Sequence, residues 1–136
     1  MSEEASGYEA PAMGVLGGTV AATAVGAILG IALPLGIDGA GGLVIGLLTG
    51  LVVGAIHAWH GGVVGLLPDR ADGVRVWGVL AGLTLGGSLG PVFGAAFGLI
   101  YSNLAMGGLL GLVIGPIAGI LAWEASLTYA DMSREE

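Results

Sequence analysis

The chain has no cysteine and no lysine, and charge of either sign is scarce: 3 Lys plus Arg (all Arg) and 10 Asp plus Glu among 136 residues, for a net charge of −7. Without cysteine there is no disulfide, no thiolate metal ligand and no cysteine nucleophile. A soluble domain of this length buries only about 68% of its unfolded surface and must cover the rest with polar groups. So few charges cannot do that, and a soluble globular domain is excluded. The missing basic patch excludes nucleic acid and anionic lipid headgroups as partners. There is no G-X-Y period, so the 29 glycines do not make collagen. A mean hydropathy of +0.96 excludes a solvated coil. What is present is apolar, 55% of the chain. The composition describes an integral membrane protein, with the lipid bilayer as its first partner.

The charges divide the chain. They fall at Glu3, Glu4 and Glu9, at Asp38, at Asp69, Arg70, Asp72 and Arg75, at Glu124, and at Asp131, Arg134, Glu135 and Glu136, leaving uncharged runs at 10–37, 39–68 and 76–123. A membrane-crossing helix needs about 20 apolar residues. The first two runs each hold one, and the third holds two with a break near Tyr101-Ser102-Asn103. The expected helices are 12–35, 41–61, 77–100 and 104–124. Trp59, Trp77 and Trp123 fall near helix ends, where an interfacial aromatic belt is expected. The acidic start lacks the basic region and cleavage site of a secretory signal, so the first helix is expected to stay in the mature chain. With four spans, Arg70, Arg75 and Arg134 share one side with both termini. The positive-inside rule puts that side in the cytoplasm of a cell membrane.

Shifted by 64 residues, the chain overlays itself without a gap. Gly14-Val15-Leu16 meets Gly78-Val79-Leu80, Gly26 meets Gly90, Gly30 meets Gly94, and Ile56, Ala58 and Trp59 meet Ile120, Ala122 and Trp123. The reading is one membrane domain, 1–136. It comprises two parallel helical-hairpin repeats, about 12–64 and 76–128, and short acidic tails at 1–10 and 127–136.

Glycine recurs every fourth residue in every span. The first carries Gly14, Gly18, Gly26 and Gly30, with Ala22 in the same register. The second carries Gly42, Gly46, Gly50 and Gly54, the third Gly78, Gly82, Gly86, Gly90, Gly94 and Gly98, and the fourth Gly107, Gly111, Gly115 and Gly119. Glycine inside a helix costs about 1 kcal/mol relative to alanine in water, so these positions call for another reason. Lipid supplies no hydrophobic drive between helices, and small-xxx-small stripes let backbones approach closely. Four residues advance about 400° on an α-helix, so each stripe creeps about 40° per step. A single straight neighbour cannot follow it. Either the helices cross steeply, or each stripe serves different neighbours at different depths. A compact bundle without a lumen follows, and any pore would lie between subunits.

These GxxxGxxxG runs resemble the glycine-zipper membrane proteins, a loose class of small multi-span chains. The resemblance covers all four helices and implies packing, not chemistry. The composition, lysine-free and acidic in its exposed segments, looks like that of a halophilic archaeon, with a high-GC bacterium as the alternative. The four-helix proteolipids of rotary ATPases also duplicate a glycine-rich hairpin, but they carry a carboxylate at mid-membrane. Here Glu124 stands at a helix end and the overlay matches it with His60.

Few side chains offer chemistry. His57 and His60, spaced i, i+3, fall on one helix face. With Glu124 of the other repeat they suggest a site of two histidines and one carboxylate for a metal. The competing reading is an interfacial pair beside Trp59. Pro91 and Pro116 each remove a helix hydrogen bond, freeing the carbonyls of Gly87 and Leu112, which would either line a path or simply kink the helix. Thr19 with Thr23, and Thr84 with Ser88, share helix faces and bond either across helices or back to their own. No charge sits inside a span, and no Ser-His-Asp set, phosphate loop or HExxH is present, so an enzyme is not expected. No cofactor is expected either. The expected role is a structural or accessory subunit, self-associating or packed into a larger membrane complex. The alternatives are an oligomeric channel or small-solute facilitator, and a haem- or metal-linked redox auxiliary.

Overall fold

The computed structural model describes residues 3–33, 38–65, 67 and 73–132, with side chains from Ala12 onward. Four helices make up the described chain: α1 Glu3–Ala32, α2 Gly39–Gly65, α3 Val74–Tyr101 and α4 Leu104–Met132. The fold is an all-α four-helix bundle, and each helix is long and apolar enough to cross a membrane. At 1.5 Å per residue, a helix of this length spans about 40 Å, more than the hydrocarbon core.

Three of the helices run past the ends that charge suggests. The first begins at Glu3, the third begins at Val74 and takes in Arg75, and the fourth continues beyond Glu124 to Met132 rather than ending in an acidic tail at 127. Charge marks where lipid ends. Helix formation does not stop where charge begins: the extension at the start of α1 carries three Glu and two Ala, and that at the end of α4 two Ala, one Leu and one Met, residues that favour a helix. Asp69, Arg70, Asp72, Arg134, Glu135 and Glu136, and the side chains of Glu3, Glu4 and Glu9, lie outside what is described.

The breaks have local causes. At the start of α2, the Gly41 N–H donates to Asp38 Oδ1 (2.6 Å), as an N-cap residue does. Between α3 and α4, Ser102 adopts φ 54°. Its N–H donates to the Leu99 carbonyl (3.0 Å) and the Asn103 N–H to the Gly98 carbonyl (2.9 Å), the two bonds of a Schellman ending. Asn103 then caps α4 by accepting the Met106 N–H at Oδ1 (3.3 Å). The left-handed position usually holds glycine, and serine there is strained by roughly 1 kcal/mol. Ser102→Gly is expected to stabilise the bundle by about that amount, read as a raised thermal midpoint in detergent. A lowered midpoint would refute the strain.

All four helices are apolar all round, so side-chain size rather than polarity separates inside from outside. Leu16, Val20, Ile28, Val92 and Ile100 face outward. The core holds Ala22, Ile45, Ala58, Leu110, Ile114, Ala118 and Ala122 among a majority of glycines. That inversion suits a bundle solvated by lipid. Helices α2 and α4 pack together at the centre. Helix α1 lies against α2 and, at its N-terminal end, α4, and α3 runs along α4.

Candidate functional site

All eighteen glycines singled out by the four-residue spacing are buried. Two seams close over them. In the first hairpin, Gly30 faces Gly42, Gly26 faces Gly46, and Gly50 faces the Ala22 backbone. In the second, Gly86 faces Gly115, Gly90 faces Gly111, Gly94 faces Gly107, and Gly98 faces Asn103. At these positions a Cβ would fall on a carbonyl of the opposing backbone. No side-chain movement relieves such a clash.

The 40° creep is handled in two ways. Helix α1 divides its stripe. Gly30, Gly26 and Ala22 serve α2, Gly18 faces both Ala58 of α2 and Ala122 of α4, and Gly14 faces Ser126 and Tyr129 of α4. Helix α3 instead keeps its whole stripe on α4, from Gly98 at Asn103 down to Gly82 at Ile120 and Gly78 at Trp123. A π turn at Gly82–Gly86 makes this geometry accessible. A π turn takes about one residue more per turn than an α-helix, so a four-residue step there falls short of a full revolution and takes back the drift.

The second hairpin also departs from the gapless overlay. Gly26 and Gly90 are 64 residues apart, but their seam partners Gly46 and Gly111 are 65 apart. In packing terms Trp123 therefore corresponds to Ala58, and Glu124 to Trp59. The aromatic-belt expectation fails at Trp123 for this reason. Trp59 and Trp77 are 63% and 67% exposed, whereas Trp123 is 7% exposed with its indole against Gly78.

Helix α2 carries a second buried line that the glycine spacing does not reveal: Gly41, Ile45, Thr49, Val53, His57, Gly61 and Gly65. Its lower part faces α4, where Gly61 meets Trp123 and Ser126, and Gly65 meets Ala130. On α4 the corresponding line is Leu110, Ile114, Ala118, Ala122, Ser126 and Ala130. The buried polar side chains of the described core stand on these lines: Thr49, His57 and Ser126.

The two histidines and Glu124 do not form one site. His57 is buried, its Nδ1 2.8 Å from the Val53 carbonyl oxygen and its Nε2 3.4 Å from that of Ala81 on α3. His60 is exposed, with Nδ1 beside its own helix's Ile56 carbonyl (2.6 Å). The i, i+3 offset is about 60° of arc, enough to put one ring in the interface and the other beyond its edge. Glu124 pairs with Arg75 at the surface, as does Asp131 (3.0 Å). Such exposed pairs contribute at most about 1 kcal/mol. Among the described residues no three His, Asp or Glu side chains gather as a metal-holding group.

The prolines lie along the α3–α4 seam. Gly86 faces the Pro116 nitrogen, and Gly108 faces the Pro91 carbonyl. The hydroxyls turn back to their own helices: Thr19 donates to Val15, Thr23 to Thr19, Thr84 to Leu80 and Ser88 to Thr84, at 2.7–2.8 Å. Thr19 and Thr23 line a shallow apolar groove of about 370 Å³ with Val20, Ala24, Ala27, Leu47 and Leu51.

No protein-family model, no curated protein and no solved structure matches the chain. The residues themselves carry the functional reading.

Proposed function

We propose that this chain is a non-catalytic four-span membrane protein, a structural or accessory subunit. Its glycine seams set its own shape, and its outer ridges meet lipid and neighbouring membrane proteins. One observation carries the reading: the stripe glycines close on backbone and side chains of the same chain. They are therefore not available to bind a second protein. Lateral association must use the exposed Leu, Ile and Val ridges instead. The position of Pro91 and Pro116 along a closed seam supports a shaping role over a conducting one. Arg70, Arg75 and Arg134 favour the cytoplasm for both termini.

The test uses the full chain carrying, after Glu136, a fluorescent reporter that folds only in the cytoplasm. Cells are expected to fluoresce. Mild-detergent extracts of native membranes are expected to hold the chain with a membrane partner at fixed stoichiometry. Vesicles containing only the purified chain are expected to release trapped ions and small solutes no faster than empty ones. Solute flux through those vesicles would overturn the accessory reading in favour of a channel, and dark cells would reverse the orientation.

A further inference from the structure

The start of α3 is held less firmly than the matching end of α1. In α1, Gly18 meets Ala122 of α4 and Ala58 of α2, and the Gly14 carbonyl accepts the Ser126 hydroxyl (3.2 Å). In α3, Gly82 meets Ile120 and Gly78 meets the Trp123 indole, both on α4. Toward α2, the described polar contact of Val74–Ala81 is a long one, 3.4 Å between the Ala81 carbonyl oxygen and His57 Nε2. From Gly86 onward α3 lies backbone to backbone on α4, at Gly115, Gly111 and Gly107. Gly78 rests instead on a side chain, which can turn aside.

The helix ladder is weakened between these two parts. A π turn occupies Gly82–Gly86, and Pro91 removes the N–H that the Gly87 carbonyl would accept. Helices kink at such places. Gly87, between them, is loosely covered: a Cβ there would meet only Pro116 Cγ, at 3.9 Å. We propose that Val74–Ala81 is a flap, hinged at the π turn and clasped shut by Arg75. The hinge is of the kind in which a few residues absorb a rotation. The clasp stands near the free end, about 10 Å from the turn at 1.5 Å per residue. There Arg75 donates through Nη1 to Glu124 and through Nη2 to Asp131 (3.0 Å), both on α4.

Closure is opposed from within. Trp123 Nε1 lies beneath the flap, buried and without a hydrogen-bond partner. A buried donor left unsatisfied costs free energy that contact with water returns. When the flap lifts, the indole N–H opens toward the end of the bundle where Arg75, Glu124 and Asp131 reach solvent. The ring of His57, buried when the flap is shut, loses its cover on the Ala81 side. The flap is thus balanced. The unpartnered donor favours the open form, and indole packing with two exposed ion pairs favours the closed one. Salt screens the pairs and shifts the balance toward the open form.

The chain has no cysteine, so spin labels can be placed in pairs on the full chain in lipid nanodiscs and their separations read by double electron–electron resonance. Met13→Cys with Val76→Cys spans α1 and the flap. Ile28→Cys with Val92→Cys spans the same two helices beyond the hinge, and all four positions are exposed. The second pair is expected to give one distance. The flap pair is expected to give two, and Arg75→Gln is expected to raise the ratio of open to closed about five-fold, the factor that two exposed ion pairs carry. Salt at about 1 M, where the screening length is about 3 Å, is expected to move the parent the same way and to leave Arg75→Gln unchanged. A flap pair that gives one distance, or two whose ratio neither change moves, overturns the proposal. Two populations in equal proportion at both pairs would place the motion away from the π turn and overturn it as well. If Arg75→Gln does not fold, the salt series on the parent decides the matter alone.

Discussion

Gly90→Ala is expected to open the second hairpin, at a cost beyond about 4 kcal/mol, in the range reserved for severe core disruptions. The added methyl would fall on the Gly111 carbonyl, with Gly111 C at 3.0 Å and Gly115 Cα at 2.8 Å. All three obstacles are backbone, so the helices must part along their length. Gly111→Ala is expected to do the same, because its Cβ would fall on the Gly90 carbonyl with Gly94 Cα at 3.0 Å. Gly108→Ala is the matched control. Its Cβ would find only the Ala95 methyl at 3.6 Å and the Pro91 oxygen at 3.7 Å, ordinary contacts. That variant is expected to be neutral or to gain up to about 1 kcal/mol of helix propensity. Unfolding in graded denaturing detergent, followed by circular dichroism, separates the two classes. Equal midpoints for Gly90→Ala and Gly108→Ala would remove the basis of the seam.

The Gly78–Trp123 pair is expected to give the second large effect. Trp123 fills the space beneath the start of α3, and Trp123→Ala is expected to cost about 3–5 kcal/mol, as truncation of a buried aromatic does. Gly78→Ala is expected to be destabilising as well, since its Cβ would fall on indole Cδ1 and Nε1, with Cε2 at 2.7 Å. Together they are expected to cost less than the sum of the two, by at least about 1 kcal/mol, because residues in direct contact do not act independently. The cavity left by one substitution accepts the methyl added by the other. Trp123 Nε1 has no hydrogen-bond partner, so Trp123→Phe keeps most of the packing and sacrifices no bond. Strict additivity in the same unfolding assay would show that the two residues do not share that space.

The candidate residues read from the sequence fared unevenly, for reasons that can be named. The glycine spacing marked the seams because close backbone approach leaves only one chemical solution, the missing side chain. The histidine pair looked like a site because spacing along one helix was all that could be compared. It was divided by an interface whose edge runs between positions 57 and 60. The Trp59 and Trp123 match concealed a one-residue offset, visible only once Gly46 and Gly111 are seen in equivalent places. The Ile45–Thr49–Val53–His57 line has no single residue type, so nothing in the letters sets it apart from the outer ridges.

By itself the sequence determined the solvent, the number of helices and which helix faces are bare. Scarce charge, apolar runs of sufficient length and glycine every fourth residue each have one physical outcome in a bilayer. Only the tertiary structure decided which neighbour covers each stripe. A stripe that drifts around its helix can be served by two partners, as in α1, or by one partner with a π turn, as in α3. Both solutions are consistent with the same spacing. The choice depends on where four helices cross, a property of the assembled bundle that no single helix encodes.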